Sequence, residues 1–429
     1  MSNSPGLLAL SPLDHIPAKL FLPYILYFDT VDTQTALFTL QKGIDKLISE
    51  LPWLAGDVIL HTAPEGPKNR MHIAPPCIPL SEVPMLKRPV LRFQANVFPG
   101  RIIVAMSFWH SVFDGTGAGV ILEAVAECCK STSEDLTTSL VQTIAKTHAE
   151  LRKKVSNFPS ECVTRLDHSV ELGTPVFDPN ISTEQWNAME SALASTVETK
   201  RYTFSPEKVA KVKDICTQLM PQLRSSEWIS SNDVITATLA ICVDRALHPE
   251  RADKTQSADF LMAVDLRNRV DPPLPETYLG NSIFPVHDDI YSEAMAGQTG
   301  DGADTLHLAQ LALRIRTKLT SMDKTLMYSA SAAVADYEDW TKVEAGPAGI
   351  IVTSWRSLKV FSLDFGAGLG HIVDFEPGLT LVPGGCIFLP SRTSLEKSGS
   401  IPMWEVCITL KAGDSQVLEK DPLFNRILA

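Results

Sequence analysis

The sequence predicts a mixed α/β protein of two units, and three observations carry that prediction. An amphipathic helix leads into a strand hairpin in the first half, and a strand, a capped helix and a buried strand run begin again near residue 200. No segment repeats at a period of about 20 to 50 residues, which excludes a solenoid or propeller. A chain of 429 residues has room for roughly two to three domains.

The elements follow in order. Leu37, Leu40, Ile44, Leu47, Ile48 and Leu51 recur at helical spacing, so residues 34–51 read as an amphipathic helix stopped by Pro52. VLRFQANVF and RIIVAMSFW are β-rich runs joined by Pro99-Gly100, a hairpin signal. The next helix starts among the glycines that follow, GTGAGVILEAVAECC. From Lys130 to Lys200 the composition turns polar, which reads as helical excursions and a crossover. RYTF then meets Ser205-Pro206-Glu207, a hydroxyl cap with proline at the first helical position, leading into VAKVKDICTQL. A second cap, SSND at 230–233, opens the helix ITATLAICVDRAL, and FLMAVDL reads as a buried strand. A helix near 303–323 carries Leu308, Leu311, Ile315, Leu319 and Met322 on one face, and LKVFSLDF and MWEVCITL read as closing strands.

Bulk properties narrow the chemistry. The net charge is -12, with no basic run of the kind that binds nucleic acid or a membrane surface. No leader pattern or membrane-length apolar stretch stands in the sequence, so a cytoplasmic protein is expected. The eight cysteines show no CxxC pair or metal-like spacing and read as free thiols, with no metal expected.

WHSVFDG, residues 109–115, stands at the end of a strand run. A histidine there can serve as a general base near neutral pH, and Asp114 could orient it or anchor the turn. Gly115, Gly117 and Gly119 allow a sharp turn and a close approach. Neither GTGAG nor GAGLG has full dinucleotide-fingerprint spacing, and His287-Asp288-Asp289 reads as a charged loop, since further ligands are missing at recognisable spacing. No GxSxG elbow surrounds any serine, so a covalent serine-bound intermediate has no sequence support.

HxxxDG, then DLRNRVDPPLPETYLGN at 265–281, then TSWRSLKVFSLDFGAGLG at 353–370, in that order, resemble the signatures of the BAHD acyltransferases. LSPLDHIPAKLFLPYILYF, LISELPWLAGDV and KRYTFSPEKVAKVK resemble further segments of that family, so the likeness covers nearly the full length. The divergent DFGAG stretch points to a fungal-type member acting in secondary metabolism.

The resemblance implies two chloramphenicol-acetyltransferase-like domains, each a mixed sheet flanked by helices, with a channel between them. They would span residues 1–195 and 200–429, with a crossover near 175–200. It implies a monomer that transfers an acyl group from acyl-CoA to a hydroxyl or amine of a small molecule, without metal, with His110 as general base and Asp114 beside it in the catalytic set. Arg267 is expected to pair with Asp114, and Asp364, Gly366 and Gly115 to support the site. In the family a tryptophan of DFGWG has been assigned to the oxyanion; here Ala367 stands in its place, which shifts that role to Thr353 and Ser354. Two other readings of the same fold stay open: a CoA-independent condensation or cyclising catalyst, for which condensation domains usually carry a second histidine where Trp109 stands, and a non-catalytic binding protein.

Overall fold

A computed structural model of the chain describes residues 7–62, 66–76, 88–130, 139–157, 172–173, 183–249, 258–291, 301–346, 348–378, 382–392 and 401–429. The principal strands are β1 (Phe21–Asp29), β2 (Leu91–Phe98), β3 (Arg101–Trp109), β4 (Val197–Phe204), β5 (Asp259–Asp265), β6 (Ile283–Asp289), β7 (Ile350–Ser354), β8 (Asp374–Pro377), β9 (Gly385–Phe388) and β10 (Trp404–Lys411). The principal helices are α1 (Thr33–Glu50), α2 (Gly115–Lys130), α3 (Leu140–Ser156), α4 (Pro206–Leu219), α5 (Ser231–Leu247) and α6 (Asp301–Ser321).

Two sheets organise the molecule. One is four-stranded in the order β8-β1-β3-β2, with every pairing antiparallel, and the Pro99-Gly100 turn folds β2 directly back onto β3. The other is six-stranded and mixed, β6-β5-β7-β9-β10-β4, with β5, β7 and β9 parallel. The capping signals form as written. Ser205 accepts from Lys208 N–H ahead of Pro206, and Ser230 and Asp233 cap each other's backbone N–H at the start of α5. On α6, Leu308, Leu311 and Ile315 are fully buried.

The expected division at residues 195–200 is crossed in both directions. Strand β8 comes from the second half yet pairs with β1, and Trp355, Val360, Phe361, Phe365 and Phe375 pack into the core beneath the four-stranded sheet. Leu13, Ile16 and Val155 from the first half join the other core. A charged clamp ties the sheets together: Arg201 on β4 donates to Asp374 Oδ1 at 2.9 Å and to Phe375 O at 2.7 Å, and Arg392 donates to Asp374 and to Glu405, each at 2.6 Å. The crossover expected near 175–200 lies partly outside the described residues.

Two local expectations are corrected. LKVFSLDF is no strand: Val360–Ser362 is one 3-10 turn, buried on Val360 and Phe361. His287-Asp288-Asp289 is the end of β6 and no loop, and α6 neutralises it, with Arg314 and Lys318 3.4 Å and 3.3 Å from Asp288.

Candidate active site

His110 follows β3 directly. Its backbone N–H donates to Leu20 O at 3.0 Å, which fixes where the strand ends. The chain then turns, and the Phe113 carbonyl comes back to 3.1 Å from His110 Nδ1. A carbonyl oxygen can only accept, so Nδ1 carries the proton and Nε2 keeps its lone pair. Burial lowers the imidazole pKa below its ordinary 6.5, although the Phe113 carbonyl and the Asp114 charge oppose that shift. The ring is therefore neutral at pH 7. It is half-buried and lines a cavity of about 970 Å³ between the two halves of the chain.

Asp114 faces elsewhere. Its Oδ1 accepts from Gly117 N–H at 2.8 Å and from Arg267 Nη2 at 2.9 Å. Its Oδ2 accepts from Arg267 Nη1 at 2.8 Å and from Ser282 N–H at 3.0 Å. The carboxylate is wholly buried, is absent from the cavity wall and makes no hydrogen bond to His110. The geometry is that of an anchor for the turn and for the start of α2, outside the reacting set. Arg267 also donates to Ser282 Oγ and to the Tyr278 and Gly280 carbonyls, so both of its terminal nitrogens are held by several acceptors.

The glycines of α2 make room for these neighbours. A β-carbon at Gly117 would sit 2.2 Å from Leu279 O, and one at Gly115 would sit 2.5 Å from the Trp355 indole nitrogen. Tyr24, fully buried, donates its hydroxyl to Gly115 O at 2.6 Å and packs its ring edge-on against Trp355. The cluster serves close packing at a helix start, and this accounts for it without a bound phosphate.

Thr353 and Ser354 both border the cavity. They end β7 on opposite faces, because side chains alternate along a strand. Val352, Cys386, Phe388, Val406 and Ile408 line the face packed into the helix-covered core of the six-stranded sheet. Thr353, paired with Ile387 and through it with Cys407, belongs to the face turned toward the other sheet. Ser354 is exposed, and its Oγ takes Arg356 N–H at 3.4 Å.

The DFG segment is placed away from the site. Asp364 accepts from Gly366 N–H at 3.0 Å and lies 3.2 Å from Lys130 Nζ. Gly366 and Gly368 both take φ of +79°, where only glycine is unstrained, and a β-carbon at Gly368 would meet Ala36 N at 2.7 Å. This loop therefore rests on the end of α2 that carries Lys130, and the helix of 16 residues separates it from Gly115 by about 24 Å. Phe365 packs edge-on against Phe28, at the end of β1 remote from the Phe21–Trp109 pairing. Ala367 is exposed and does not line the cavity. Residue 367 therefore lies away from the cavity, whereas Thr353 and Ser354, to which the missing tryptophan shifts the oxyanion role, border it. The indole at the site is Trp355, which stood inside the TSW motif and was passed over.

Sequence reasoning also missed Lys19, on the cavity wall, which donates to Val343 O at 2.7 Å and whose pKa burial pushes down to about 8. Its signal was local: a lysine inside an otherwise apolar stretch, IPAKLFLP. Other candidates fall away. His15 is buried against Trp340, and exposed His371 bonds the Leu363 carbonyl. Six cysteines are free thiols, five of them buried, and burial raises Cys216 and Cys386 to about 12, unsuited to nucleophilic work. Cys77 and Cys162 lie outside the described residues. Among the described residues no group of three or more His, Cys, Asp or Glu is placed to hold a metal ion, and no helix is long and apolar enough to cross a membrane.

Residues 78–424 match the family model described as the Transferase family. The fumigaclavine B O-acetyltransferase of Penicillium roqueforti is 27% identical, with 98% of this chain and 97% of that one aligned. The communesin N16 acyltransferase of Penicillium expansum is 29% identical, with 96% of each covered. Among solved structures, TRI101 of F. sporotrichioides, complexed with coenzyme A and T-2, superposes with a TM-score of 0.73 over 98% of this chain and 99% of that one at 19% identity. Vinorine synthase superposes with a TM-score of 0.61 over 100% and 95% at 14% identity.

Proposed function

The chain belongs to the Transferase family, that of the BAHD acyltransferases, and is an acyltransferase; from that premise we propose that it moves an acyl group from acyl-CoA directly onto a hydroxyl or amine of a small secondary metabolite, with His110 as the base. The observation that carries the reading is the His110–Phe113 hydrogen bond, which leaves the Nε2 lone pair of a neutral imidazole available at the cavity wall. The names of the fumigaclavine B O-acetyltransferase and the communesin N16 acyltransferase, which align along nearly the whole chain, support acyl transfer to a small-molecule oxygen or nitrogen, and the coenzyme A complex of TRI101 supports the donor's identity.

Nε2 takes the proton of the acceptor O–H or N–H as that atom attacks the thioester carbonyl. The carbonyl oxygen gains negative charge, and Thr353 Oγ1 and the Trp355 indole N–H are the donors offered to it. The C–S bond then breaks, and the Nε2 proton passes to the departing thiolate. Asp114 and Arg267 act by holding the turn. Gly115 keeps space for the indole, while Asp364 and Gly366 shape the remote loop. Action as a monomer in the cytoplasm, without a metal, belongs to the same reading.

Purified protein incubated with acetyl-CoA and a panel of small-molecule acceptors that includes fumigaclavine B tests this, with free thiol and product mass followed together. Thiol and acetylated product should appear in equal amounts. Conversion of an acceptor at the same rate without any CoA ester would transfer the case to the condensation or cyclising reading.

A further inference from the structure

A second buried ion pair stands next to the catalytic turn, and none of its members lines the cavity. Asp14 is fully buried, Arg152 is 2% exposed, and Asn281 is fully buried. Arg152 Nη1 donates to Asp14 Oδ2 at 2.5 Å, and Nη2 donates to Val112 O at 2.5 Å. Asn281 donates its backbone N–H to Asp14 Oδ1 at 2.8 Å, and its Nδ2 donates to that oxygen at 3.1 Å and to His110 O at 2.9 Å. Ser11 completes the carboxylate's shell through its N–H at 2.7 Å and its hydroxyl at 2.8 Å. The Asn281 amide can take only this orientation, because the reverse would set its oxygen against a carboxylate and a carbonyl.

Two segments far apart in sequence therefore reach two carbonyls of one turn, those of His110 and Val112, and Asp14 from a third segment holds both donors together. The next carbonyl, that of Phe113, is the one that fixes the proton on His110 Nδ1. Its direction is set by the Phe113 φ and ψ relative to the peptide plane that the Val112 carbonyl pins. With that carbonyl in place, the opposite tautomer would oppose two lone pairs; with it turned away, that preference for Nδ1–H is lost.

We propose that Asp14, Arg152 and Asn281 form a positioning unit that pins the 110–113 turn and thereby selects the His110 tautomer whose lone pair lies on Nε2. The inference rests on His110 acting as the base, but the tautomer can be read without any activity. The unit sits outside the cavity and touches no reactant. Its members act through His110.

The experiment is ¹⁵N NMR of histidine-labelled protein together with steady-state kinetics of acetyl-CoA thiol release, on three variants. Asn281→Ser removes the link to His110 O and leaves the ion pair intact. Arg152→Lys keeps the charge but cannot fork to two acceptors. Asp14→Asn combined with Arg152→Met removes both charges, so no unpaired buried charge is left to unfold the protein. Wild type should show one His110 tautomer, protonated on Nδ1. Each variant should show a mixture and lose kcat, by roughly 10²-fold for the double variant, with KM for acetyl-CoA unchanged. A folded double variant with a single Nδ1–H tautomer and wild-type kcat overturns the proposal, and so does lost kcat with the tautomer unaltered. A tautomer mixture in a protein whose activity proves independent of His110 would instead retain the positioning unit and overturn the base assignment.

Discussion

Arg267 grips both oxygens of Asp114 across 153 positions of sequence, with Nη1 at 2.8 Å from Oδ2 and Nη2 at 2.9 Å from Oδ1. The pair joins the start of α2 to the loop after β5, so it holds the wall of the cavity while staying outside it.

Removing one partner leaves the other charge buried and unpaired, and about 3 to 5 kcal/mol of stability is the typical loss. Asp114→Ala should therefore unfold at a clearly lower denaturant concentration than wild type. Asp114→Asn, which still accepts from a guanidinium N–H, should lose less. Equal midpoints for Asp114→Ala and wild type in urea titrations would contradict the buried-pair account.

The pH dependence has a defined sign. Burial depresses the His110 pKa below 6.5, and only the neutral ring can accept a proton. Activity is thus complete at neutral pH and is lost as pH falls through the depressed pKa. A kcat/KM profile should show its acidic limb centred below 6.5. A limb centred above that value would mean that a partner charge, and not burial, governs the ring.

Strand alternation separates the two hydroxyls of β7. Thr353→Val should lower kcat by about 10² to 10³ while moving KM little, the mark of a donor used in the transition state. Ser354→Ala should behave nearly as wild type. Comparable losses in both, or none in Thr353→Val, would remove Thr353 from the reaction.

Because Ala367 is exposed on a loop at the far end of α2, restoring a tryptophan there should change nothing at the site. Ala367→Trp is expected to keep wild-type kcat. A gain of tenfold or more would show that residue 367 communicates with the cavity.

How much of this was legible beforehand divides along a physical line. Caps at Ser205 and Ser230 and the turn at Pro99-Gly100 are local signals, and the elements they announce form as read. LKVFSLDF misled because a short apolar run fits a strand or a buried turn equally well. Strand β8 could not be assigned to the first sheet, since nothing within DFEP names β1 as its partner. At the site, the motif letters pointed to His110, Thr353 and Ser354, which border one cavity, and to an Asp114–Arg267 pair, which forms, but they did not single out Trp355 as the nearby indole. Asp14 stood in LSPLDH as part of a family opening; its contacts with Arg152 and Asn281 exist only in three dimensions.

The central claim is that His110 takes the acceptor's proton in a CoA-dependent transfer. It is tested most directly by thiol release from acetyl-CoA in the presence of an accepted small molecule, comparing wild type with His110→Ala, while calorimetry verifies folding and coenzyme A binding in both. The account predicts unchanged folding and binding, with thiol release in the variant reduced to the uncatalysed background. Thiol release by His110→Ala at the wild-type rate would contradict it.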